Sequence, residues 1–390
     1  MNRSVRLVLA AALAAAFTLF SVSSSGAIVS SQPGVHDWLF DTSGKGGVDT
    51  KAEAVTVAHR YDIVVAAQRY QPFLSAMKAA KPGIVVAQYH KGTSVYGSDF
   101  TWIKANHPSW LLHTPTGALL KSSYGTYLID VGNPAVRTWM ADYAKAQQAA
   151  GWTGVYLDSM GLYGFSGFSG NPVNPRTGKV FTTSEWIAAE TGLAQTVDNA
   201  IGIPLLINGM RTGPGYWSDT SPLVSGIEAG EFEGCFRDAS ARISAYPSTA
   251  SWLATVRALQ DVQSKGRSAL CWTKTWTTAT TAQINAWHSF ALASFMLANQ
   301  GHEYFYFTGH RSDNGNTWYG DDQVKIGSPS GSLTSNGAGV YYRRYSAGIV
   351  VVNPTGSSAG VQLPATFHTP SGASVSQLNV PAHSGMFLTS

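Results

Sequence analysis

A (β/α)8 barrel followed by a small C-terminal antiparallel β-sandwich is the fold class this sequence predicts, on three observations. Eight short β-rich runs recur, at 36–40, 61–67, 83–89, 153–158, 203–208, 223–233, 268–273 and 303–307. Helix-like stretches separate most of them, for example 71–83 (QPFLSAMKAAKPG), 184–202 and 248–266. Strands that alternate with helices imply parallel βα units, and eight such units imply a closed barrel. After residue 310 the pattern turns to β-rich runs broken by turn dipeptides such as Asn353-Pro354, which reads as a separate antiparallel β unit.

Taken in order, the chain begins with Arg3 and Arg6, an apolar stretch from Leu7 to Phe20, and then small residues up to Ala27. This is the pattern of a secretory signal peptide over 1–27, so a secreted, extracellular protein is expected; a retained membrane anchor is the alternative. No later segment is long and apolar enough to span a bilayer. The barrel is expected over 28–320 and the β domain over 325–390. The helix between strands three and four is the most legible element. Asn133 is placed as its N-cap, Pro134 sits where a missing N–H costs nothing, and Val136, Met140, Tyr143 and Gln147 recur at helical spacing beside Trp139. Gly151 ends it, and the next strand delivers Asp158. Before this helix, roughly 91–133 holds a hairpin-like excursion, WLLHTPTGALL then YLID. The loop after Asp158 is rich in Gly, Ser and Pro. Both insertions belong on the catalytic face of a barrel.

Bulk composition narrows the function. The chain has 390 residues, 44% hydrophobic and 12% charged, enough for a sizeable core. Net charge is +4, and no run of Lys or Arg is longer than Arg343-Arg344, so nucleic acid is not an expected partner. Aromatic residues are 12% of the chain, which suits sugar stacking and equally suits a packed core. The two cysteines, Cys235 and Cys271, are read as one disulfide or two buried free thiols; their spacing matches no zinc motif. A monomer is expected.

Polar residues at the carboxyl ends of barrel strands face the active site. Here those ends carry Asp41, then Gln88, His90 and Lys91, then Asp158, then Asn208, then Glu228, Glu231 and Glu233, then Trp272 and Lys274. Asp158 leaves an apolar strand directly, and a buried carboxylate is costly unless paired or put to use. Its bland reading is a helix cap or a partner for Lys91. Strand six places three Glu in six residues; by the period-two rule Glu231 and Glu233 share one face and Glu228 takes the other. An exposed acidic loop is the bland reading there. Two carboxyl groups across a cleft are what glycoside hydrolysis requires, one protonating the leaving oxygen and one attacking the sugar or activating water. No cofactor is required. The chain has no G-x-S-x-G elbow, H-E-x-x-H, Walker A or dinucleotide fingerprint. Asp313, Asn316 and Asp321 offer oxygens for calcium but lack EF-hand spacing, and a solvated polar loop is the preferred reading.

The run His107-Pro108, Trp110-Leu111-Leu112, Gly117, Asp130, Asn133-Pro134, Val136-Arg137, Gly151, Gly154 and Asp158 resembles a secreted bacterial glycoside hydrolase-like barrel family related to α-galactosidase-type barrels. The resemblance implies that Asp158 is the nucleophile or its stabilising equivalent. It also implies a partner acid on strand six, where EAGEFEGCFR places Glu228, Glu233 and Arg237 on the family's Asp, Glu and Arg positions. Glu233 is thereby favoured as acid/base, with Glu231 second. Departures are Glu228 for Asp, Ala229 for Gly and Thr153 for an Asp. Asp41, Gln88, His90, Lys91, Asp130, Asn208, Glu228 and Trp272 are expected to contact a carbohydrate substrate. The alternatives are a non-catalytic carbohydrate-binding barrel, which the filled carboxylate positions disfavour, and a metal-dependent hydrolase, which the lack of clustered His/Asp ligands disfavours.

Overall fold

Eight parallel strands close on themselves in chain order in a computed structural model that describes residues 28, 35–42, 47–161, 167–313, 317–319 and 324–390. The strands are β1 (His36–Asp41), β2 (Ile63–Ala66), β3 (Val85–Lys91), β4 (Gly154–Asp158), β5 (Leu205–Asn208), β6 (Ala229–Glu233), β7 (Ser268–Lys274) and β8 (Glu303–Thr308). Register is continuous round the barrel: Lys91 lies beside Asp158, Asn208 beside Glu231, and Glu233 beside Trp272. The signal segment 1–27, and Asn316 and Asp321 of the acidic loop, lie outside the described residues. Asp313 is described, and its Oδ2 accepts from the backbone N–H of His310 and the hydroxyl of Tyr319, each at 2.9 Å.

Helices α1 (Lys51–Arg60), α2 (Leu74–Ala80), α3 (Gly97–Asn106), α4 (Pro134–Ala149), α5 (Thr183–Asp198), α6 (Thr249–Ser264) and α7 (Thr281–Ala298) surround the barrel. Their starts follow from local chemistry. Asn133 caps α4 by accepting the Ala135 N–H at 2.9 Å, with Pro134 at the first helical position. Thr50, Thr182 and Thr280 form reciprocal capping boxes with Glu53, Glu185 and Gln283. Between β5 and β6 the regular structure is only a π turn at Tyr216–Thr220 and a 3-10 turn at Ser221–Gly226.

Alternation along the strands sorts side chains between barrel interior and helix layer. Trp38, Phe40, Tyr156, Trp272 and Tyr306 meet inside, with ring centroids 5.0–6.0 Å apart. Each such buried aromatic contributes about 1.5–3 kcal/mol through removal from water. Cys235 and Cys271 form a disulfide joining the segment after β6 to the middle of β7.

The last sixty residues form a curled antiparallel sheet of β9 (Thr334–Ser335), β10 (Tyr341–Tyr345), β11 (Gly348–Asn353), β12 (Ala359–His368), β13 (Ser374–Val380) and β14 (Ser384–Thr389), ordered β9-β10-β11-β14-β12-β13. It packs on α7. Gly385 of β14 lies so near that helix that a Cβ there would be 2.3 Å from the Ala293 methyl. This explains why α7 is apolar nearly all round, with an unbroken buried run from Phe290 to Ala298. The expected fold class, barrel plus sandwich-like β unit, is the one found.

Candidate active site

Five consecutive strands deliver one polar residue each to the carboxyl-terminal mouth of the barrel: Lys91 from β3, Asp158 from β4, Asn208 from β5, Glu233 from β6 and Lys274 from β7. They line a cavity of about 400 Å³. Lys91 Nζ donates to Asp158 Oδ2 at 2.5 Å, and Lys274 Nζ donates to Glu233 Oε1. Between these ion pairs, the Asn208 amide donates to both carboxylates, to Asp158 Oδ1 at 3.0 Å and to Glu233 Oε2 at 2.7 Å. Because both contacts share Nδ2, these two carboxylate oxygens lie no more than 5.7 Å apart.

Asp158 is the more enclosed of the two. Its Oδ2 also accepts from Tyr89 Oη at 2.5 Å, and its Oδ1 from the Ser159 N–H at 2.7 Å. Burial works to raise its pKa. The charge and hydrogen bond of Lys91, with the hydrogen bonds of Tyr89 and Asn208, outweigh burial and hold the carboxyl below its usual range. Tyr89 itself is pushed upward by burial and by Asp158, so it stays a hydrogen-bond donor. Ser159 follows at a positive φ of 64°, a conformation that L residues adopt at a cost, and the Thr93 hydroxyl holds its carbonyl at 2.7 Å. Glu233 ends its strand with a side chain 43% exposed, open to the cavity. Lys274, itself buried, sits 3.6 Å above the Trp272 ring.

One layer beneath, Tyr156 donates to Glu231 Oε2. Glu231 faces inward like Glu233 but is fully buried, and it is absent from the cavity wall. Burial first, then the charge of Glu233, raises its pKa well above the usual carboxylate range.

The other expected contacts are scattered. Tyr89 and Lys91 point inward, so Gln88 and His90 face the helix layer. Gln88 accepts from the Tyr143 hydroxyl of α4, and the His90 ring lies 4.1 Å from the Tyr143 ring. Glu228 sits at the opposite end of the barrel, where its Oε2 accepts from the Leu205 N–H at 2.6 Å and Arg267 approaches to 3.8 Å. Asp41 is turned outward to Arg69 and Tyr70, each at 2.5 Å. Asp130 holds Arg176 at 2.9 Å and braces the two insertions above the barrel. Trp272 packs below the cavity against Phe40 and Tyr306. Strand alternation could have separated Gln88 and His90 from Lys91, and the same rule would have promoted Lys274. No periodic signal marks Ser122, Tyr124, Thr126, Phe168 or Asp238, which complete the wall from loops.

No group of three or more His, Cys, Asp or Glu side chains suited to a metal occurs among the described residues. No helix among them is long and apolar enough to cross a membrane.

Several solved structures share this fold. Eubacterium rectale Amy13B matches with a TM-score of 0.56 at 11% identity, over 91% of this chain and 94% of that one. A noncanonic maltogenic α-amylase, AmyB of Thermotoga neapolitana, matches at 0.55 and 10% identity, over 91% and 98%. A variant of the GH36 α-galactosidase AgaA from Geobacillus stearothermophilus matches at 0.53 and 10% identity, over 94% of this chain and 56% of that one. At these identities the likeness is one of fold. No curated protein matches the sequence. The model of one family covers residues 78–349, which takes in β3 to β8 and every residue of the Lys91–Lys274 arc: the chain belongs to hypothetical glycosyl hydrolase family 15.

Proposed function

We propose that this protein is a secreted glycoside hydrolase that cleaves O-glycosidic bonds of a poly- or oligosaccharide, with Asp158 as nucleophile and Glu233 as acid/base. The observation that carries the reading is the Asn208 amide held between the two carboxylates. It holds the nearest pair of their oxygens no more than 5.7 Å apart. Retaining glycosidases hold their carboxyl groups about 5–5.5 Å apart, whereas inverting enzymes need about 6.5–9.5 Å to admit a water. The spacing supports double displacement.

In that mechanism Asp158, kept ionised by Lys91, attacks the anomeric carbon as Glu233 gives its proton to the departing oxygen. A covalent glycosyl-enzyme forms and the aglycone leaves protonated. Glu233, now a carboxylate, takes a proton from water as that water attacks the same carbon, and Asp158 is released ionised. Exposure of Glu233 suits a group that must exchange protons with incoming water. Glu231 lies fully buried below the reacting layer, which favours Glu233 over it for this role.

The test is release of reducing sugar from a panel of plant and bacterial polysaccharides, with the anomer of the first product followed by proton NMR. Glu233→Gln is expected to lose about 10²–10⁴ in kcat and Asp158→Asn to be inactive, both folded. A first product with inverted configuration would exclude double displacement. Secretion rests on the segment 1–27 and on the disulfide, which suits an oxidising compartment. Amino-terminal sequencing of the exported protein is expected to begin at Ile28.

One observation favours a second reading, glycan binding without catalysis: each carboxylate is already ion-paired to a lysine. Retention on a polysaccharide matrix with no product released from any member of the panel would establish it.

A further inference from the structure

The mouth of the cavity carries an aromatic side chain that folding does not explain. Tyr124 is 91% exposed, the highest exposure of any large hydrophobic side chain among the described residues. Exposing a large aromatic forgoes about 1.5–3 kcal/mol of burial. Its backbone is nonetheless tightly held. Gly125 N–H bonds to the Ser122 carbonyl at 3.0 Å to close a turn, and Gly125 adopts φ 80°. Ser122 Oγ accepts from the backbone N–H of Tyr124 at 3.2 Å and of Thr126 at 3.1 Å. The turn is tied in turn to the loop after β4, where Ser122 bridges Phe168 and Ser123 N–H reaches the Gly167 carbonyl at 3.4 Å. A fixed backbone therefore presents an unburied ring on the wall of the cavity that has Asp158 and Glu233 at its floor.

We infer that Tyr124 is the stacking platform of an outer sugar subsite, which binds a pyranose unit one or more residues removed from the scissile bond. A pyranose ring has an apolar C–H face and a hydroxyl edge. An aromatic face matches the first, and the carboxylate of Asp238 on the same cavity wall supplies an acceptor for the second. A platform at the rim acts only on substrates long enough to reach it, so it selects chains over single glycosides. The subsite rests on the glycosidase reading above, and the experiment separates the two.

The ratio of kcat/KM for the cleaved polysaccharide to that for an aryl glycoside of its constituent sugar is measured in wild type, Tyr124→Ala and Tyr124→Phe. The ratio is expected to fall at least tenfold in Tyr124→Ala and to be restored in Tyr124→Phe, which keeps the ring. An unchanged ratio in Tyr124→Ala overturns the platform while leaving the catalytic reading intact. Independently of catalysis, migration is followed through native gels cast with soluble starch, galactomannan or a bacterial exopolysaccharide. Retardation of wild type that is lost in Tyr124→Ala supports the platform even where Asp158→Asn proves active and the catalytic assignment fails. Equal migration of wild type and Tyr124→Ala in every gel overturns it.

Discussion

At the scale of the residue, the site is a set of charges whose environments differ over a few ångströms. Asp158 and Glu231 are both buried carboxyls on adjacent inward-facing layers, yet they are shifted in opposite directions. Asp158 has a lysine and three further donors; Glu231 has one phenol and a neighbouring acid. Asp158 is depressed, so the stability it adds is present above about pH 3.9 and is lost as pH falls through its lower folded value. Glu190 of α5 gives the opposite case. Burial pushes its carboxyl well upward, outweighing the opposing hydrogen bonds of Trp186 and the Gly161 backbone. Native Glu190 thus keeps a proton that the unfolded chain releases above about pH 4.3, and folding is penalised increasingly as pH rises toward its folded value. Glu190→Gln removes that penalty. Thermal unfolding is expected to show little gain in Tm at pH 4 and a growing gain from pH 5 to 8; a gain independent of pH would count against this account.

At the scale of the element, what matters is how closely strand ends approach. Gly161 lies three residues after Asp158 and Gly209 directly after Asn208, and the two pack backbone to backbone. A Cβ on Gly209 would lie 2.4 Å from the Met160 carbonyl group, and one on Gly161 2.3 Å from the Gly209 oxygen. Their φ values of 159° and 71° mark the second as a position that favours glycine on conformational grounds too. Gly209→Ala is expected to part the ends of β4 and β5 and pull Asn208 from between the carboxylates. Displacement of about 1 Å at a reacting group can cost on the order of 10²-fold. Steady-state kinetics should therefore show the loss in kcat with circular dichroism little changed; a loss confined to stability would mean the bridge does not depend on this contact. On the helices, Asn133→Ala removes a cap and should lower stability by about 1 kcal/mol, read by denaturant unfolding, with no effect on the product formed.

At the scale of the whole molecule, two features join distant parts. The Cys235–Cys271 disulfide closes a loop of sequence separation 36 and ties the strand bearing Glu233 to the strand bearing Lys274. Loop-closure entropy gives it a stabilisation of about 4 kcal/mol. Cys235→Ser with Cys271→Ser should lower the midpoint of urea unfolding accordingly, and an unchanged midpoint would show that the barrel fixes those strands unaided. The C-terminal sheet covers α7, where Tyr345 bonds to the Met296 carbonyl at 2.6 Å and buried Arg343 bonds to the carbonyls of Leu297 and Asn299. A chain ending at residue 325 would leave that apolar helix in water. It is expected to aggregate on expression, as judged by size-exclusion chromatography; a soluble monomer of native spectrum would show the barrel to be self-sufficient.

The barrel was legible because it is written in local patterns. Strand runs, the Asn133 cap and the Gly151 stop are short-range signals, and they suffice to place Asp158 and Glu233 at strand ends. Asn208 and Lys91 lie at strand ends by the same rule, whereas Gln88 and His90, though close to the same strand end, are turned to the helices by the alternation of side chains along β3. Glu228 could not be separated from Glu231 and Glu233 by composition; only the start of β6 at Ala229 puts it at the far end of the barrel. The sequence by itself determined the order of elements, the barrel class and the two carboxylates, since each depends on residues a few positions apart. Tertiary structure alone decided the Asn208 bridge, the opposite pKa shifts of Asp158 and Glu231, the disulfide and the placement of Tyr124 over the cavity. Those depend on distances between side chains tens to hundreds of residues apart, and on burial, which no local pattern encodes.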